Sequence, residues 1–179
     1  MAAETPKRDR TDARVSGGVE LTLATALQDA VETVGGVVLH NRRMPGGRGE
    51  IDHVAIVPAG VHVIDTRAVT GKIEIRRPWL KPDQLFIAGR DRTSYLDGLD
   101  RQTQVVRDAI DRVGCRRLAV QGVLCFTSAD LPFLRSQEIR GHLLLYRRAL
   151  TSKLVAVGPL SQDAVSALAS VLAALLRAT

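Results

Sequence analysis

Gly49-Glu50-Ile51-Asp52-His53-Val54-Ala55-Ile56-Val57-Pro58-Ala59-Gly60-Val61-His62-Val63-Ile64-Asp65-Thr66-Arg67 is the stretch on which the fold of this chain turns. Two β-rich runs, 51–57 and 61–66, flank Pro58-Ala59-Gly60, and that punctuation predicts a hairpin. A turn centred between Pro58 and Ala59 pairs residues whose numbers sum to 117, so Asp52 faces Asp65 and Glu50 faces Arg67. Side chains two apart share one face of a strand, which puts these four on one side. Opposed Cβ atoms lie roughly 4.5–5.5 Å apart. Two carboxylates about 5 Å apart repel by about 3 kcal/mol at an effective dielectric near 20. Such a pair must share a proton or be neutralised by a cation, and oxygen-preferring Mg²⁺ or Mn²⁺ suits it. On the residues alone a second outcome stays open: a solvated strand end with Glu50 and Arg67 as a cross-strand ion pair.

Outward from the hairpin, Val19, Leu23, Leu27, Ala30, Val31 and Val34 recur at helical steps until Gly35-Gly36 ends the run. A short β run at 37–39 and a basic, glycine-rich loop at 42–49 lead into the hairpin. After it, 72–76 is expected to extend the same sheet as a meander, and 78–98 to be irregular apart from 85–88. A helix over about 98–113, strands over 118–126 and 138–146, and a final helix over 161–177 with Ser161 as N-cap complete the order. That order predicts an α/β fold, a mixed central β-sheet flanked by helices, spanning 17–179 as one domain. Residues 1–16 alternate charge with small side chains and are expected to form a flexible charged N-terminal arm.

Composition narrows the function classes. The net charge is +6, and 21 of the 25 basic residues are arginine, which suits contact with phosphate. The six aromatic residues (Trp79, Tyr95, Tyr146, Phe86, Phe126 and Phe133) argue against a module that grips bases by stacking. Cys115 and Cys125 have no CxxC spacing and are expected to be reduced and mostly buried, as in a cytoplasmic protein. Charges within the first sixteen residues exclude a secretory apolar core, and the most apolar run, 164–176, is too short to cross a bilayer, so no membrane is expected as a partner. The serines at 94, 128 and 136 lie in no nucleophile elbow, and Gly46, Gly47 and Gly49 lack the ending of a phosphate loop. A zinc site on His40, His53 and His62 is disfavoured, because His53 and His62 should point to the sheet face opposite Asp52.

The hairpin from Gly49 to Arg67, with Gly71-Lys72 after it, resembles the nuclease-related domain (NERD) family, itself similar to the PD-(D/E)xK nucleases with restriction-endonuclease-like folds. Gly18-Val19-Glu20, Gly89-Arg90-Asp91-Arg92, the helix carrying Gln102, Leu124-Cys125-Phe126 and Gly158-Pro159-Leu160 extend the resemblance over about 17–178. It implies a restriction-endonuclease-like core and a metal-dependent phosphodiesterase acting on DNA in processing, repair or defence, with Mg²⁺ or Mn²⁺ as cofactor. Residue by residue, Asp52 matches the first acidic metal ligand and Asp65 the second. Glu20 would complete or orient the site, and Gln102 matches a supporting helix glutamine. Arg67 stands where the family usually has lysine; it keeps the charge but cannot accept a proton. Lys72 is the alternative cation. Arg42, Arg43, Arg48, Lys72, Arg90 and Arg92 are candidate phosphate contacts. A homodimer and a helicase or other DNA-processing partner are compatible with this resemblance. The competing reading is a catalytically degenerate domain that binds nucleic acid or a protein without cleavage.

Overall fold

The hairpin forms with the expected register. In the computed structural model, which describes residues 23–46, 49–128 and 137–179, β2 (Glu50–Val57) and β3 (Gly60–Arg67) pair antiparallel from Val57↔Gly60 to His53↔Ile64, so every pair sums to 117. Pro58 and Ala59 make the turn between them. The carbonyl of Pro58 accepts a hydrogen bond from the Leu160 amide (3.1 Å), so a distant segment braces the turn. Gly158 makes this approach feasible, because a Cβ there would sit 2.1 Å from the Pro58 carbonyl oxygen and 2.2 Å from Ala59 Cα. Gly158→Ala is therefore expected to cost roughly 2 kcal/mol or more, read as a lower urea midpoint.

The hairpin lies within a mixed six-stranded sheet ordered β1-β2-β3-β7-β9-β8, from β1 (Val37–Arg43), β7 (Val120–Phe126), β8 (Gln137–Ile139) and β9 (His142–Tyr146). β3 runs parallel to β7, and β7 parallel to β9. Helices cover both faces. A helix over 23–32 (α1, described from Leu23 onward) and α3 (Arg147–Leu154) pack Leu23, Leu27, Val31, Leu150 and Leu154 on one face, against Ala55, Val57, Ile64 and Val123. α2 (Thr93–Arg112) and α4 (Gln162–Leu175) cover the other, with Leu99, Val106, Ile110, Leu168 and Leu172 against Val54, Ile56, Val63 and Leu124. Fully burying such an aliphatic side chain contributes roughly 1.5–3 kcal/mol, and strict alternation along β3 lets one strand serve both layers. The Ser161 hydroxyl caps α4 by accepting from the Ala164 amide, as its sequence position predicts. This is the mixed α/β sheet flanked by helices that the sequence predicts, consistent with a restriction-endonuclease-like core.

Several local expectations are corrected. The segment after β3 does not join the main sheet, because β3 already has β2 on one edge and β7 on the other. Instead β4 (Ile73–Arg76), β5 (Gln84–Ile87) and β6 (Arg90–Asp91) form a separate three-stranded sheet, through part of the stretch expected to be irregular. α2 begins at Thr93, five residues before Gly98, where the Asp91 carboxylate accepts from the Thr93 amide (2.8 Å). The run over 138–146 splits at Arg140-Gly141, both at positive φ (51° and 76°), as a tight hairpin turn requires. β1 extends to Arg43, so Arg42 and Arg43 are strand residues, and α3 follows β9 without a break. Cys125 is buried, but Cys115 is exposed; both are free thiols. The arm expected at 1–16, together with Glu20, Arg48 and Phe133, lies outside the described residues.

Candidate active site

Asp52 and Asp65 meet where β2 and β3 part. The ladder stops at His53↔Ile64, so Asp52 and Asp65 do not form the strand pair that the register extrapolates to. The Asp52 carboxylate instead takes over the edge of β3: its Oδ2 accepts from the Thr66 amide (2.8 Å) and the Thr66 hydroxyl (2.8 Å). Asp65 projects beside it, only 1% exposed, and the two carboxyls are close enough to hydrogen-bond. Burial pushes the Asp65 carboxyl up to about 7; Arg67 pulls it back and Asp52 adds to the rise.

Arg67 is bound at this point rather than free. Its Nη2 donates to Asp65 Oδ2 at 2.6 Å, and its Cζ lies 4.5 Å from the centre of the Tyr95 ring. Arg92 approaches the same ring at 5.7 Å. The expected Glu50–Arg67 pair does not form: Glu50 lies opposite Arg43 of β1 and is exposed. Tyr95 is the contact that sequence reasoning missed. Its signal was the Asp91-x-Thr93 start of α2, which places Tyr95 in the first turn, facing the end of β3.

Gln102 reaches the hairpin from α2. Its Nε2 donates to the Glu50 carbonyl (3.0 Å), and its Oε1 is buried with no partner among the described residues. Lys72, the alternative cation, is exposed and paired with Glu74 (2.9 Å). Arg42 reaches back to the Leu176 carbonyl at the end of α4 (3.5 Å), where a cation complements the helix dipole. Arg43 and Arg90 are exposed. On the opposite face of the sheet, His40 Nδ1 and His53 Nδ1 are 2.8 Å apart, and burial holds His53 and His62 at about 4. Among the described residues no group of three or more His, Cys, Asp or Glu side chains is arranged to hold a metal.

The family model described as "Nuclease-related domain" (NERD) matches residues 18–127, more than half of the chain. The chain belongs to the nuclease-related domain family. Neither the curated proteins nor the solved structures gave a match. The NERD match ends just past β7, and it holds Asp52, Asp65, Arg67, Tyr95 and Gln102; β8, β9, α3 and α4 lie beyond it. A NERD domain suggests nuclease-related function and a divalent metal requirement, and is consistent with nucleic-acid binding. Asp52 and Asp65 supply two neighbouring oxygen donors of the kind such a cation takes, one held against its own ionisation by burial and by the other. No helix among the described residues is long and apolar enough to cross a membrane.

This electrostatic arrangement predicts a pH signature. Asp65 ordinarily titrates near 3.8 and in the fold near 7, so between those values the folded state binds more protons than the unfolded. Its contribution to stability is present below 3.8 and is lost as pH rises through 7, by up to roughly 4 kcal/mol without metal. His53 and His62 act in the opposite sense: their contribution is present above 6.5 and lost as pH falls toward 4. Comparing urea unfolding of the protein with that of Asp65→Asn from pH 4 to 8 isolates the carboxyl. The variant should gain relative stability as pH rises, and added Mg²⁺ should close the gap. Parallel curves would contradict the burial argument.

Proposed function

We propose that residues 17–179 act as one nuclease domain, a cytoplasmic Mg²⁺- or Mn²⁺-dependent phosphodiesterase that cleaves DNA in processing, repair or defence. The observation that carries this reading is the convergence of Asp52 with buried Asp65 beside the Arg67 guanidinium. Asp52 and Asp65 would hold the cation, with Glu20 as a third carboxylate. A divalent cation held there supplies polarisation of a phosphoryl oxygen and a more acidic water. The remaining work belongs to the chain. Thr66 fixes the Asp52 carboxylate, so its orientation does not have to be found when substrate arrives. Gln102 ties α2 to the backbone two residues before Asp52. Arg67, steadied on Tyr95, faces developing charge on phosphate as an electrostatic clamp. Arg92 near Tyr95, with Arg43, Arg48, Lys72 and Arg90, would contact neighbouring phosphates, whereas Arg42 is engaged at the end of α4.

The test is incubation of the purified protein with linear, supercoiled, single-stranded and branched DNA in Mg²⁺ or Mn²⁺, with EDTA as control. Metal-dependent cleavage that is lost in Asp52→Ala and Asp65→Ala is the expected result. A second reading is favoured by one contact: Arg67 occupies an Asp65 oxygen at 2.6 Å, where it competes with a metal. In that reading the domain binds nucleic acid or a protein without cutting. Absence of cleavage on every substrate, with DNA binding retained, would select it.

A further inference from the structure

We propose that the tip of the β4–β5 hairpin holds an unpaired base by stacking on Trp79, and so directs the nuclease site to single-stranded or branched DNA rather than continuous duplex. The assignment to DNA rests on the nuclease reading above. Trp79 and Leu80 are 98% and 93% exposed, the most exposed large apolar side chains of the described residues together with Val157. They sit between Pro78 and Pro82, and the Lys81 amide closes the turn on the Pro78 carbonyl (3.4 Å). The legs of the hairpin are paired up to Arg76↔Gln84. Arg77 pairs with Asp83 across the loop (3.4 Å) and fastens it to the main sheet through the Glu138 carbonyl (3.1 Å). An apolar side chain displayed in water on a braced turn loses little freedom when a partner covers it.

Charge selects the partner. Arg76, Arg77 and Lys81 flank the two apolar side chains in sequence; Arg76 and Arg77 pair with Glu74 and Asp83, and with Lys72 and Lys81 the hairpin keeps four cations against two acids over residues 72–83. An exposed indole on a net cationic hairpin matches a nucleobase π-face flanked by phosphates. In continuous duplex that face is stacked, and exposing it costs a few kcal/mol per step. At a single strand, overhang or fork it is already free. Scarce aromatics argued against a stacking platform, yet one uncommitted tryptophan suffices for one base. The hairpin is also joined to the candidate site: the Leu85 carbonyl accepts from the Arg92 amide, and the Leu85 amide donates to the Thr93 hydroxyl. Both bonds lie at the start of α2, the helix that carries Tyr95 to Arg67.

Trp79 is the only tryptophan, so intrinsic fluorescence reports on this contact alone. In EDTA, where no cleavage occurs, titration with single-stranded or forked oligonucleotides should quench and blue-shift the emission, at concentrations at least tenfold below those needed with blunt duplex. Anisotropy of labelled forked DNA should show Trp79→Ala binding roughly tenfold more weakly and Trp79→Phe keeping most of the affinity, with blunt-duplex affinity unchanged in both. Equal response to duplex and single strand, a response to anionic phosphatidylserine vesicles but not to DNA, or no effect of Trp79→Ala would overturn the proposal. Asp65→Ala should keep the fluorescence response, so loss of cleavage and loss of stacking are separate outcomes.

Discussion

Asp65→Ala is expected to lower metal-dependent DNA cleavage by roughly a thousandfold or more, equivalent to about 4 kcal/mol of transition-state stabilisation. The size follows from the double role of this carboxyl. It is one of the two converging acids proposed to hold the cation, and it anchors the Arg67 guanidinium at 2.6 Å. Its removal takes away a ligand and releases the clamp together. Because the uncharged side chain ends the burial cost of an ionised carboxylate, the variant should remain folded, as circular dichroism and urea unfolding would show. Rates from single-turnover assays across Mg²⁺ concentration separate the effects: the part due to weakened metal binding recovers as Mg²⁺ rises, and the part due to the released clamp does not. Cleavage at the wild-type rate would place the chemistry elsewhere or expose a contaminating nuclease.

Arg67→Lys is expected to act in the other direction, raising the cleavage rate about tenfold or more and lowering the Mg²⁺ concentration for half-maximal rate. Arginine is protonated at every relevant pH and binds carboxylate through a planar fork. Here it occupies one oxygen of Asp65 and leans on Tyr95, so a cation must compete with a prepositioned charge. Lysine keeps the charge on a slimmer, more mobile stem, freeing that oxygen. A variant with unchanged metal dependence and unchanged rate would show that Arg67 does not limit the reaction.

Much of this site was legible because its determinants are local. Pro58-Ala59 sets the register, and the alternation of β2 and β3 separates His53 and His62 from the carboxylate side. The unread features depend on contacts distant in sequence. That β3 takes β7 as a parallel neighbour, excluding β4, is decided across more than fifty residues, with no trace in the period of either strand. The end of the ladder at Asp52 arises because a side chain replaces a backbone partner, which an extrapolated register does not capture. α3 escaped notice because Tyr146 passes straight from strand to helix, with neither glycine nor proline to mark the change. Tyr95 was hidden by the late placement of the α2 start.

The outer edge of β1 bears on how two copies of this chain could assemble. Residues 177–179 run along it: the Arg43 amide donates to the Arg177 carbonyl (2.8 Å), Arg42 bridges Ala178, and the Thr179 amide donates to the Asn41 carbonyl (3.0 Å). The other margin of the sheet, β8, is only three residues long. A twelve-stranded sheet formed by joining two copies at β1 would first have to peel this C-terminal strip away, exposing strand hydrogen bonds that it now satisfies. If the chain does pair with itself, helix-covered faces or the small sheet are the surfaces left for it. For the same reason, a tag fused directly to Thr179 would pull on the strip that seals the sheet, and a flexible spacer would spare it.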